Sequence, residues 1–340
     1  MVHRLCKWCI RAQPESEALN SLDRVHCGNN AKSVAMKLDV LDAKSQKVII
    51  TLNDVTNEQT VGSVKREIYA KLLYLSPERQ ALRLEPKGKP LPDEETLGEL
   101  KLPSVGAQLY LRDLGRQIGW KTVFVLEYFG PLFIYLIFYL RPVFIYGDAG
   151  KREPVEPVVK LACACWTAHY LKRILETLYV HRFSHATMPL MNLFKNCGYY
   201  WGFTSFIAYF LNHPLYTPPT FGTAQITIGF IGFLISEFGN YSIHAALRDL
   251  RPPGTRERKI PMPNWNPLTN MFNLVSCPNY TYEALAWFSF SVMTQCVPAL
   301  IFNAVGLYQM SVWAIGKHNA YKKEFHNYPK HRRAIVPFVL

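Results

Sequence analysis

From Ala284 to Ile315 the chain carries no charged side chain. A bilayer core is the environment that accepts so long an uncharged run, since a helix needs ~20 apolar residues to cross it. Four more long segments precede it: Trp120–Leu140, apolar apart from Lys121 and Glu127; Val158–Val180; Tyr199–Leu211; and Ile226–Ile243. Pro298 divides the uncharged run into two short spans or a kinked hairpin. The pattern predicts a multi-pass α-helical membrane protein with six transmembrane helices, or seven if Leu268–Cys277 re-enters. Trp120, Tyr135, Tyr139, Trp201, Trp287 and Trp313 suit headgroup depth.

Charge divides the chain in two. Residues 1–113 hold 17 basic and 15 acidic side chains, whereas residues 114–340 hold 21 and 10. The basic clusters Arg248–Lys259 and Lys317–Arg333 belong in the cytosol by the positive-inside rule, and both termini with them. Residues 1–33 read as a poorly ordered tail and lack the apolar core of a signal peptide. Residues 34–113 read as a small domain. Val34–Leu41 alternates like a strand, Lys47–Leu52 is rich in β-branched residues, Val61–Leu73 has helical spacing, and Ala107–Arg112 is a late strand. That order predicts a ubiquitin-like β-grasp domain, a docking or regulatory module without catalytic residues. Residues 114–340 form the transmembrane domain. Cys6 and Cys9 form one CxxC with no second pair, so no metal is expected. No nucleic-acid partner is expected either.

Ionisable groups inside spans are costly and mark function by default. Glu127 lies mid-span, with Gln117 ten residues earlier. His169, Arg173 and Glu176 share one face of the second long segment, beside Tyr170, either as a functional group or as polar pairing between helices. In Gly239–Lys259, residues Asn240, His244, Arg248 and Arg251 fall on one helical face. Arginine forks match phosphate oxygens, so this face suits a polyanion carrying a pyrophosphate and a 2′-phosphate. Anionic lipid headgroups, or topology alone, are the other readings. Neither a GxGxxG nor a P-loop is present. In Ser276–Glu283, Tyr280 or Tyr282 offers a proton donor and Glu283 an acceptor; the tyrosines otherwise anchor an interface. Lys317–Leu340 reads as an amphipathic membrane-surface segment.

The strings LEYFGPLFIY, HYLKRILETLYVHRFSHATMP, NHPLYTPP, GNYSIHAALRDLRPPG, SCPNYTYE and the closing PFVL resemble the very-long-chain trans-2,3-enoyl-CoA reductases. The C-terminal part resembles the wider steroid 5α-reductase family. The resemblance covers residues 35–340. It implies NADPH held between helices, with Asn240, His244, Arg248, Arg251, Lys259, Asn279, Glu283 and Tyr321 at cofactor positions. The steroid enzymes carry an acidic residue where His244 stands. Gln117, Glu127 and Tyr280 match positions essential to enoyl-CoA reduction, and Tyr170 matches a tyrosine near the substrate carbonyl. The implied reaction saturates a trans-2-enoyl-CoA in the last step of very-long-chain fatty-acid elongation at the endoplasmic reticulum. Tyr280 is the first candidate acid and Tyr170 the second. Membrane lipids, elongases, 3-ketoacyl-CoA reductase and 3-hydroxyacyl-CoA dehydratase are the implied partners. The alternatives are a steroid or polyprenol enone reductase, or a non-catalytic scaffold of the elongation complex.

Overall fold

The computed structural model describes residues 36–103, 105–182, 187–250 and 258–340. They fall into two compact units, one of residues 36–118 with 187–191, the other of residues 119–182 with 192–340.

In the first unit, β1 (Met36–Asp42) and β2 (Val48–Val55) form an antiparallel hairpin, turned by Gln46 at φ 58°. Helix α1 (Val61–Lys71) starts at Thr60, whose hydroxyl accepts from the Ser63 N–H and so satisfies one orphan donor of the first turn. Strands β3 (Gln80–Arg83) and β4 (Ala107–Asp113) complete a sheet of order β2-β1-β4-β3, in which β1 and β4 run parallel. Val61, Val64 and Ile68 recur at helical spacing and pack against Leu38, Val40, Leu52 and Leu109 of the sheet. This is the β-grasp arrangement read from the alternating pattern. β5 (Gln117–Gly119) pairs with β6 (Thr187–Pro189).

The second unit is helical: α2 (Trp120–Tyr139), the short α3 (Val143–Tyr146) and α4 (Ala149–Arg152), α5 (Pro157–Tyr179), α6 (Leu190–Leu211), α7 (Gly222–Asp249), α8 (Pro278–Thr294) and α9 (Val297–Glu324). Among the described residues, α2, α7 and α9 are long and apolar enough to cross a membrane. Helix α5 is long enough but carries Lys160, His169, Lys172, Arg173 and Glu176. Helix α8 has 17 residues, a rise of about 26 Å against a core of about 30 Å. The uncharged run is a hairpin: α8 stops at Gln295, in the left-handed region, and Pro298 opens α9. Leu268–Cys277 holds a 3-10 stretch, Pro267–Asn273, too short to cross.

Small residues set the closest approach between helices. Gly229, Gly232, Ser236 and Gly239 line one side of α7, and α8 lies against it: a Cβ on Gly239 would overlap the Tyr282 ring. Gly130 of α2 accepts the Trp201 indole in the same way. Trp166 of α5 stacks on Tyr135 at 4.8 Å and donates to the Pro131 carbonyl of α2. Part of the C-terminal segment also packs on the helices. Ser276 N–H donates to the Arg333 carbonyl, Thr281 Oγ1 to the Ile335 carbonyl, and Ile335 is fully buried beside Cys277 and Ala314. Ala334 and Ile335 are covered by protein, whereas Phe338, Val339 and Leu340 stay exposed.

Candidate active site

The side chains that should be costly in a membrane cluster where α5 meets α2, α7 and α8. Position 169 of α5 brings an imidazole to α7: His169 Nδ1 lies 2.7 Å from Glu237 Oε1, and its Nε2 lies 3.5 Å from Glu283 Oε1 of α8. Three residues on, Lys172 Nζ reaches Glu237 Oε2 at 2.9 Å and Asn240 Oδ1 at 3.0 Å. Asn240 then donates to the Asn279 carbonyl at 3.0 Å and to Glu283 Oε2 at 3.3 Å. Glu283 also accepts from Trp287 Nε1. Three of the expected cofactor residues, Asn240, Asn279 and Glu283, are therefore one hydrogen-bonded group.

Arg173 begins a second branch. Its Nη1 bonds Glu176 Oε2 at 2.9 Å and its Nη2 donates to the Tyr128 hydroxyl at 2.8 Å. His244 Nδ1 lies 3.2 Å from the same Glu176 oxygen and 3.4 Å from His181 Nε2. His244 thus faces α5, and it meets an acidic partner from that helix. Glu176, His181 and His244 place a carboxylate and two imidazoles within 4.8 Å, the make-up of a divalent-cation site. The Arg173 guanidinium already neutralises that carboxylate, which opposes a second cation there.

Tyr170 is buried among Trp166, His169, Trp287 and Tyr128, with ring centroids 4.9 to 6.3 Å away. Glu127 is 1% exposed and accepts from Asn196 Nδ2 of α6 at 2.5 Å. Ion pairs and hydrogen bonds reach most of the charged groups, which is how so much charge is tolerated between helices; Glu176 Oε1 is the exception, buried without a hydrogen bond.

Other expected residues lie elsewhere. Tyr280 is partly buried with its ring 6.2 Å from Trp313 of α9, beside Cys277 and Met310, while Asn279 and Glu283 face α7. Arg248 pairs with Asp249 at 2.8 Å. Lys259 is exposed, and Arg251 lies outside the described residues. Tyr321 stacks on Tyr328 at 5.5 Å with Lys317 over its ring. Gln117 belongs to the first unit, where its amide donates to the Leu114 and Gly115 carbonyls. The sequence reading passed over Lys172 and Glu237, although both are ionisable groups within long apolar segments, and over Tyr128, which carries no such signal.

Two family models match. Residues 36–113 match the model described as TECR, ubiquitin-like domain, and residues 186–340 match 3-oxo-5-alpha-steroid 4-dehydrogenase. A probable very-long-chain enoyl-CoA reductase of Caenorhabditis elegans is 58% identical over 304 residues, 89% of this chain and 99% of the relative. A very-long-chain enoyl-CoA reductase of Dictyostelium discoideum is 44% identical over 310 residues, again 89% and 99%. A trans-2,3-enoyl-CoA reductase-like protein of Homo sapiens is 46% identical over 312 residues, 92% of this chain and 85% of the relative. Identity at that level over 89% of this chain and 99% of the nematode and slime-mould relatives shows that the chain belongs to the very-long-chain enoyl-CoA reductase family.

Proposed function

We propose that this chain reduces the 2,3 double bond of a trans-2-enoyl-CoA to the saturated acyl-CoA, using NADPH, as the last step of very-long-chain fatty-acid elongation at the endoplasmic reticulum. The observation that carries this reading is the Asn240–Asn279–Glu283 group. It is built into an otherwise apolar bundle and continuous through His169 with the aromatic cage of Tyr170.

The donor set fits a pyridine dinucleotide phosphate. Asn240, the Asn279 carbonyl and Glu283 supply the amide donors and acceptors that a carboxamide needs. Arg248, Lys259 and Arg251 supply cations for phosphates. His244 and Tyr321 complete the assigned contacts. When bound, NADPH supplies the hydride. The chain's own residues do the rest. Tyr170 hydrogen-bonds the thioester oxygen as negative charge develops on it, which lowers the barrier because the donor is fixed in a low-dielectric site. Glu127, held by Asn196, orients the acyl group. Tyr280 stands with Tyr170 as a candidate acid. The helices span the membrane six times with both termini cytosolic, so phosphates meet the basic face and the acyl chain meets the apolar interior. The β-grasp domain contacts elongases, 3-ketoacyl-CoA reductase or 3-hydroxyacyl-CoA dehydratase.

The match of residues 186–340 to 3-oxo-5-alpha-steroid 4-dehydrogenase favours a second reading, reduction of a steroid or polyprenol enone. NADPH oxidation by the purified protein in detergent with trans-2-hexadecenoyl-CoA separates them. Turnover that unlabelled steroid fails to compete supports the enoyl-CoA reading, and its loss in Asn240→Ala and Arg251→Ala supports the cofactor assignment. Turnover with a steroid enone alone would replace it. NADPH that neither turns over nor raises the melting temperature would leave a scaffold, since a ligand at 100 times its Kd adds about 2.7 kcal/mol.

A further inference from the structure

We infer that Tyr128 donates the proton that completes the reduction, and that Arg173 positions it; this rests on the enoyl-CoA reductase reading. Three tyrosines gather beside the polar cluster. The Tyr128 ring is 6.3 Å from that of Tyr170 and 5.9 Å from that of Tyr200. Among the described residues, Tyr128 is the one of the three whose hydroxyl accepts from a guanidinium, Arg173 Nη2 at 2.8 Å. A phenol has one proton to give and two lone pairs to receive. With one lone pair committed to Arg173, the O–H proton of Tyr128 is turned elsewhere.

Burial then decides between the phenols. Tyr128 is 3% exposed, and a lone phenolate at that depth carries a large desolvation cost. At Tyr128 the charge left after proton transfer is paired with a cation already in contact. Arg173 is itself fixed by Glu176, and Glu176 by His244. The guanidinium also lies 5.0 Å from the centroid of the Tyr128 ring. The Tyr170 ring lies 4.9 Å from that of His169, and His169 Nε2 lies 3.5 Å from Glu283 Oε1, so the proton donor connects through the carbonyl-binding phenol to the cofactor group.

Once hydride has reached the β-carbon, the electron pair of the double bond resides on the α-carbon and thioester oxygen as an enolate. The α-carbon takes the proton from the Tyr128 hydroxyl: one O–H bond breaks and one C–H bond forms. Tyr128 is left as a phenolate beside Arg173, and a proton from water restores it.

The experiment uses the purified full chain in detergent, NADPH and trans-2-hexadecenoyl-CoA. Tyr128→Phe is expected to lower kcat by ~10²–10⁴-fold, the range for a positioned acid, with KM for NADPH held and the protein folded at a lower melting temperature, since Arg173 Nη2 loses its acceptor. Arg173→Lys retains a cation and is expected to keep more activity than Arg173→Met. A wild-type kcat in folded Tyr128→Phe overturns the inference while leaving the reductase reading intact. No enoyl-CoA turnover by the wild type removes the reading and this inference with it. If Tyr128→Phe does not fold, the solvent deuterium isotope effect on kcat is compared between wild type and Arg173→Lys. An increase in the variant supports the proton donor, and an unchanged kcat and isotope effect overturns it.

Discussion

One methyl group at residue 229 should force apart the helix pair that carries the candidate site. A Cβ built on Gly229 would lie 2.5 Å from the Met293 backbone nitrogen and 2.7 Å from its Cα. Carbon contacts are comfortable at about 3.5–4.0 Å, so α7 and α8 must part by about 1 Å locally. Neither atom can rotate away, because both belong to the α8 backbone. Such overpacking costs about 1–3 kcal/mol, and the better helix preference of Ala returns about 1 kcal/mol. Eleven residues along the same seam, the Asn240 bonds to Asn279 and Glu283 stand at 3.0 and 3.3 Å, with little length to spare. Weakening one adds about 0.5–1.5 kcal/mol. The sum is a loss of about 2 kcal/mol, or a melting temperature lower by about 4–8 °C. The assay is thermal unfolding in detergent, run beside two controls. A Cβ on Gly232 meets the Ser289 hydroxyl, which can turn aside, and one on Gly202 meets nothing within 4 Å. Gly232→Ala should be close to neutral and Gly202→Ala no less stable than wild type. Equal melting temperatures for Gly229→Ala and Gly202→Ala would refute the close-packed seam.

Other perturbations test other joints. Glu237→Gln removes the carboxylate shared by Lys172 and His169, both largely buried; breaking such a pair costs about 3–5 kcal/mol, read as a fall in melting temperature that Glu237→Asp partly restores. Thr60→Ala removes the N-cap of α1 and should cost about 0.5–2 kcal/mol, with Thr60→Ser near wild type, as hydrogen exchange in residues 61–71 would report. The paired Arg79 guanidinium holds the Asp113 carboxyl below its ordinary range. A depressed folded value stabilises above the unfolded one and is lost as pH falls through the folded one. Wild type should therefore lose stability below about pH 4 more steeply than Asp113→Asn, and parallel acid-unfolding curves would count against the pair.

Much of this was readable along the chain. The period-2 strands, the 3.6-period helix and the late strand of residues 36–113 specify a β-grasp because each element must bury one apolar face, and few arrangements satisfy all of them. The long uncharged runs specified membrane helices for a similar reason, since length and apolarity are properties of a segment alone. The face of Asn240 and His244 was also legible, because i to i+4 spacing is a property of one helix. What covers that face was not. Lys172, Arg173 and Glu176 reach it from α5, and only packing brings residues some 70 positions apart within hydrogen-bonding distance.

Tyr280 and Glu283 illustrate the same limit. In the sequence they stand three apart on one motif; on α8 one ring meets Trp313 while the other side chain meets Asn240. The direction of a side chain around a helix is set by the helix, but its partner is set by which neighbour fills that direction. Tyr128 is the counterpart. It is one aromatic residue among many in an apolar span, next to the marked Glu127 but itself unmarked, and it becomes distinct only because α5 places a guanidinium on its hydroxyl. Composition and periodicity thus determined the membrane class and the β-grasp, because those depend on local patterns of apolar and polar residues, whereas the family rests on the specific motif strings. The tertiary structure alone decided which charges are paired and which phenol has a cation, because those depend on distances between segments that the order of residues does not contain.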